Sequence, residues 1–172
     1  NILLLPLVIL SMKLLSWFCQ LGFNLLNLLF EQVMGSSYSN VMSYALSVLN
    51  LDFILTNAPI AIRMGNIDKL AEKTNSKLIP ADATKIEDLE NLISDSIKML
   101  GGKIDFVLHS IGMSINVRKG KAYTDQNYDW THKGLDVSAM SFHRVMQTLY
   151  KNDAMNEWGS IVALSYMAAQ RV

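Results

Sequence analysis

"KLIPADATKIEDLENLISDSIKMLGGKIDFVLHSIG", residues 77 to 112, decides the fold class. It opens on a short β-prone run, "KLIPAD" (77–82). It continues through "TKIEDLENLISDSIKMLGG", where Ile86, Leu89, Ile93, Ile97 and Leu100 recur at helical spacing and form one apolar stripe. Thr84 and Glu87 stand at the Thr-x-x-Glu spacing of a capping box, and Gly101 with Gly102 ends the helix. "KIDFVLHSIG" (103–112) is a buried strand that runs into a loop of small residues.

The same punctuation extends in both directions. Upstream, "LDFILTN" (51–57) reads as a strand ending at a polar loop, and "IDKLAEKT" (67–74) places Ile67, Leu70 and Ala71 on one helical face. Downstream, "SAMSFHRVMQTLY" (138–150) is an amphipathic helix, and "GSIVAL" (159–164) is a last strand delivering Ser165 and Tyr166. Strands alternating with helices predict a doubly wound α/β fold, a parallel sheet with crossover helices. Ligands of such sheets bind outside the carboxyl ends of the strands. The positions to watch are therefore Thr56 and Asn57, Asp82 and Ala83, Ser110 to Ser114, and Ser165 with Tyr166.

A chain of 172 residues with 51% hydrophobic and 17% charged content is ordered and large enough for one domain with a real core. Formal net charge is zero and no Lys/Arg cluster stands out, which argues against a nucleic-acid partner. The single cysteine, Cys19, has no disulfide partner within the chain and no metal-ligand spacing around it. It reads as a small buried apolar residue in a reducing, cytoplasmic compartment, and no metal site is expected.

Charge is distributed unevenly. Of 15 basic and 15 acidic residues, only Lys13 and Glu31 lie in residues 1–50. The run "ILLLPLVILSMKLLSWFCQLGFNLLNLLF" is long enough to cross a bilayer, which takes roughly 20 residues. Against a span, Lys13 sits near its middle, where a charge costs at least about 2.5 kcal/mol, and Gln20, Asn24 and Asn27 follow. Membrane contact is thus the less favoured reading; a buried helical pair or a misjoined, frame-shifted segment are the others. "MGSSYSN" (34–40) reads as a turn. The expected division is an atypical apolar segment, 1–50, and a partial α/β domain, 51–172.

"KIDFVLHSIGMS" (103–114), "GLDVSAMSFHRVMQ" (134–147) and "GSIVALSYMAAQRV" (159–172) together resemble the enoyl-acyl-carrier-protein reductases, a divergent branch of the short-chain dehydrogenase/reductases. "LTNAPIAIRMG" (55–65) and "PADATKIEDLENL" (80–92) continue the likeness, which covers about residues 51 to 172. The resemblance implies a Rossmann-like fold and reduction by NADH of the double bond of a 2-enoyl thioester carried on acyl carrier protein. Hydride would go to the β-carbon and an enolate would form at the thioester, which calls for donors aimed at that oxygen and a proton for the α-carbon. The resemblance also implies a homotetramer.

Residue by residue, the resemblance assigns Asp82 and Ala83 to the adenine, with helix capping as the other reading of Asp82. Ile111, flanked by Ser110 and Gly112, matches the residue whose backbone meets the cofactor; an ordinary strand exit would also use small residues there. Ser114 matches a position near bound substrate. Tyr166, beside Ser165, matches the first of two active-site tyrosines, the alternative being a ring that closes the strand against the core. At neutral pH its hydroxyl is protonated and able to donate. Thr56 stands where the family chooses between a ribose hydroxyl and a phosphate. No Arg or Lys follows it immediately, which favours NADH over NADPH, and Arg63 is the residue that would reverse that choice. His109 is expected to be a packed core histidine, its pKa lowered by burial.

The sequence departs from the family at two places. No clear counterpart of the glycine-rich pyrophosphate loop precedes residue 51, Gly35 with Ser36 and Ser37 being a poor substitute. The family's second tyrosine and ribose-binding lysine would follow Val172. The expectation is an enzyme represented by a chain incomplete at both ends, with no measurable turnover of crotonyl thioester by these 172 residues. The alternative is a non-catalytic remnant that at most binds nucleotide or a partner subunit.

Overall fold

The computed structural model describes residues 7–11, 46–47, 51–64 and 67–165. Five strands form one sheet: β1 (Leu7–Ser11), β2 (Asp52–Asn57), β3 (Lys77–Pro80), β4 (Ile104–His109) and β5 (Met155–Ala163). Their order is β3-β2-β1-β4-β5. β2 pairs parallel with β3 and β4 with β5, while β1 lies antiparallel to both of its neighbours, β2 and β4. The four strands read from the sequence are thus parallel, as expected. The central slot is filled by a strand from the apolar segment, running the other way. "LVILS" has the unbroken apolar character that a central strand needs, and nothing in that composition fixes direction.

The period of two along the strands separates two cores. Ile54 and Val107 face a cluster with Leu89, Leu92, Ile93 and Leu100 of α3 (Ile86–Leu100) and Val145 and Leu149 of α6 (Ser141–Lys151). Phe53, Leu55 and Leu108 face the opposite cluster, with Ile67, Leu70 and Ala71 of α2 (Ile67–Thr74), which follows α1 (Pro59–Met64). Helices on both faces make the sheet doubly wound. Among the described residues no helix is long and apolar enough to cross a membrane, and most of residues 1–50 lie outside them.

α3 ends as its sequence predicts. Gly101 takes the left-handed conformation at φ 69°, and its N–H donates to Ile97 O at 2.9 Å. Its start differs from the expected capping box: Lys85 occupies the cap position and no side chain caps the helix. Thr84 falls one residue before the cap position, and its hydroxyl donates to Asp82 Oδ1 at 2.8 Å within the turn that leads into the helix. Asp88 completes the turn by accepting the Asp82 N–H at 2.9 Å.

Two other elements differ from expectation in extent. The helix expected over 138–150 begins with a π-helical turn, Asp136–Met140, continuous with α5 (Tyr128–Leu135) before it and α6 after it. β5 starts at Met155, not Gly159, and its register against β4 jumps from Ile104↔Met155 to Phe106↔Ser160. Gly159 permits the bulge, since a Cβ there would stand 2.6 Å from Met155 Cε and 3.0 Å from Asn156 O.

Candidate active site

The carboxyl ends of β2, β3, β4 and β5 share one edge of the sheet. Leu7, at the start of β1, pairs there with both Thr56 and His109. At the β2 exit, Thr56 is 1% exposed and its hydroxyl has no hydrogen-bond partner among the described residues. Asn57 Oδ1 accepts the Ala58 N–H at 2.9 Å, and Asn57 O accepts the Ala81 N–H at 3.0 Å. That second bond ties the exits of β2 and β3 together.

Asp82 follows the β3 exit, half-buried, and its Oδ1 accepts both the Thr84 N–H at 3.0 Å and the Thr84 hydroxyl. Burial raises its carboxyl, but the two bonds from Thr84 and the nearby charges of Lys85 and Lys133 outweigh that and leave its pKa below the ordinary value. The result is an ionised acceptor whose Oδ2 has no hydrogen-bond partner among the described residues. Ala83 beside it is buried.

The β4 exit holds most of the remaining candidates. His109 is buried; its Nε2 lies 2.8 Å from Ser141 Oγ, and its ring packs edge-on against Phe142 with centroids 5.2 Å apart. Burial lowers its pKa to about 4, so the imidazole is neutral at physiological pH. The expectation of a packed core histidine holds. Ser110 is buried with a hydroxyl that has no partner among the described residues, and Ile111 packs against the α3–α6 cluster. Around Gly112 no heavy atom of the described residues lies within 4 Å of where a Cβ would sit, which leaves its backbone open to approach among them. Ser114 caps the short α4 (Ile115–Arg118), its Oγ accepting the Val117 N–H at 3.3 Å.

β5 joins this group through Leu164, whose N–H donates to His109 O at 3.0 Å. Ser165 is exposed just beyond, and Tyr166 lies outside the described residues. The structure thus gathers Ser110–Ser114 and Ser165 around the β4 and β5 exits, and Asp82 with Ala83 around the joined exits of β2 and β3. Thr56 is buried on the same face of β2 as Ile54, with no hydrogen bond to either group among the described residues. Among the described residues no group of three or more His, Cys, Asp or Glu could hold a metal ion.

A dinucleotide is the cofactor this edge was expected to hold, and the residues present fit it in part. The ionised Asp82 suits an adenine amino group, and the open backbone at Gly112 suits a closely approaching ring. Among the described residues the pyrophosphate has no counterpart: β1 runs from this edge to the opposite one, ending at Ser11 across from Asp52.

Residues missed by sequence reasoning stand over the β4 exit. Ser138 of the π turn accepts the Met113 N–H at 2.9 Å, and Gly134 of α5 abuts Met113 O. Small residues in a helical stretch were the only available signal, and "GLDVSAMS" (134–141) has four of them.

Comparison with known proteins gives this region a family. Residues 41–172 match the family described as "Enoyl-(Acyl carrier protein) reductase". "Enoyl-[acyl-carrier-protein] reductase [NADH] 2" of Rhizobium meliloti (strain 1021) is 31% identical over 107 residues, 62% of this chain and 39% of that protein. "Enoyl-[acyl-carrier-protein] reductase [NADH] FabI" of Rickettsia bellii (strain RML369-C) is 32% identical over 108 residues, 62% of this chain and 40% of that protein. This chain therefore spans 39% to 40% of the length of those two relatives. Among solved structures, the FabI–NADH complex of Alistipes finegoldii is 61% identical with a TM-score of 0.65, over 69% of this chain and 42% of that one. Sequence family, relatives and fold agree on the same stretch, and on that evidence the chain belongs to the enoyl-(acyl carrier protein) reductase family.

Proposed function

We propose that the protein carrying this chain is a cytoplasmic, NADH-dependent enoyl-[acyl-carrier-protein] reductase of fatty-acid synthesis, assembled as a homotetramer. The observation that carries the reading is the β4 exit: a strand leading into an open glycine, beside Ser165, in a chain of this family. Its NADH-named relatives support the choice of cofactor. When bound, the nicotinamide supplies hydride to the β-carbon of the enoyl thioester.

The chain's own residues do the rest. Asp82, ionised and with no partner for Oδ2 among the described residues, accepts from the adenine amino group, while Ala83 lines the pocket. Ser110, Ile111 and Gly112 offer backbone rather than side chains, consistent with the buried Ser110 hydroxyl. Ser114 borders the thioester. Tyr166 is the proposed catalytic-site tyrosine, the first of the family's pair, of which the second is the usual donor to the developing enolate oxygen. His109, neutral and tied to Ser141, takes no part in proton transfer.

The test is NADH oxidation by the protein carrying this chain, with crotonyl thioester as substrate. Asp82→Ala should weaken NADH binding about tenfold, the loss of one hydrogen bond to a charged acceptor. Unchanged NADH affinity in that variant would remove Asp82 from the site. The reversed β1 favours a second reading, a nucleotide-binding protein without turnover. NADH binding without oxidation would select it.

A further inference from the structure

The loop leaving β4 is held by the helix above it, and the hold falls on one peptide group. Ser138 Oγ accepts the Met113 N–H at 2.9 Å and donates to Met113 O at 3.3 Å, a pair of bonds spanning 25 residues. On its other side, Met113 O would stand 3.0 Å from a Cβ on Gly134. A serine inside a helix ordinarily donates to the carbonyl four residues back. Ser141, three residues further on, does so, its Oγ 2.6 Å from Val137 O.

The π turn gives the two hydroxyls different targets. Ser141 meets His109, the last residue of β4, and Ser138 meets Met113, so Ser110 to Gly112 runs between two attachments to one helix. Arg144 closes the turn from outside through Asp136, Nη2 to Oδ1 at 2.5 Å. π turns occur often at functional sites, where the added residue redirects side chains.

We propose that Ser138 is a positioning residue for the thioester substrate: with Gly134 it grips the Met113 peptide and so sets the path of Gly112 to Ser114, along which the acyl thioester lies. This rests on the reductase reading. Ser138 touches neither substrate nor cofactor. Its effect reaches the reaction through the loop, and it acts on thioester binding more than on NADH, whose adenine is held at the other exit.

The experiment compares Ser138→Ala, Ser138→Thr and Gly134→Ala in the protein carrying this chain. Ser138→Ala should speed hydrogen exchange at the Met113 amide at least about tenfold with the melting temperature little changed. The same variant should raise KM for crotonyl thioester about tenfold while NADH affinity stays within about twofold, the scale expected of a small misplacement. Gly134→Ala should raise the thioester KM from the opposite side, and Ser138→Thr, which keeps the hydroxyl, should restore it. Unchanged Met113 exchange in Ser138→Ala, or thioester and NADH affinities weakening by one factor, would overturn the proposal. A parent protein that does not turn over crotonyl thioester would remove the reductase reading, and the exchange measurement would still decide whether Ser138 holds the loop.

Discussion

The two halves of the sheet treat their ligand edge differently. At the β4–β5 half, the chain leaving β4 is tied at His109 to Ser141, at Met113 to Ser138, and at His109 O to the incoming Leu164. At the β1–β3 half, β2 and β3 deliver Asn57 and Asp82 to that edge, but β1 between β2 and β4 carries its own end, Ser11, to the far side. A strand contributes to a ligand edge through the turn that follows it, so its direction matters as much as its place. Reversing one strand keeps the sheet and its hydrophobic layers while removing a turn's worth of backbone amides from the site. Packing tolerates either direction, and phosphate binding does not.

The comparison breaks first on stability. Leu149, 1% exposed, lies in the α3–α6 cluster behind β4, whereas Leu70 of α2, 7% exposed, lies in the cluster on the other face. Leu149→Ala should cost about 4 kcal/mol and Leu70→Ala about 2–3 kcal/mol, measured as shifts in urea midpoint. Equal losses would mean that the two cores are equally well packed.

A second measurement isolates the β4 exit through His109. Its pKa falls from 6.5 to about 4 on folding, so the folded state binds fewer protons between those values. Unfolding free energy should be level above pH 6.5 and fall by about 3 kcal/mol as the pH drops toward 4. His109→Gln should flatten that slope. A slope unchanged by the substitution would place the titration elsewhere.

The smallest effect belongs to the helix joining the halves. Gly101→Ala, at φ 69°, should destabilise by about 1 kcal/mol, read from the melting temperature, with NADH binding unaltered. A loss of binding would show that the turn after α3 reaches the site.

Much of this fold is legible because its signals are local. β2, α2, β4 and the end of α3 at Gly101 follow from strand punctuation, helical spacing and a glycine that tolerates positive φ. β1 was not legible: a short apolar run reads equally as span, helix or strand, and periodicity alone does not separate them. The capping box failed because the helix begins one residue later than the Thr-x-x-Glu spacing implies, with Lys85 at the cap and Thr84 in the Asp82 turn before it. The start of β5 was hidden because "MNEW" (155–158) does not alternate, its pairing being interrupted by the bulge. Within the site, the strand exits could be read from chain order. The grip of Ser138 on Met113 could not, since it depends on a π turn whose single added residue leaves no mark in composition.

The bulge in β5 also bears on how this strand pairs. The register jump confines even pairing with β4 to the stretch from Ser160 to Ala163, and Trp158, 94% exposed, stands out on the irregular part. A strand bent in this way is not a straight template: a neighbour has to follow the local twist that the extra residues impose, so the same irregularity that hides the start of β5 in the sequence also makes its pairing selective.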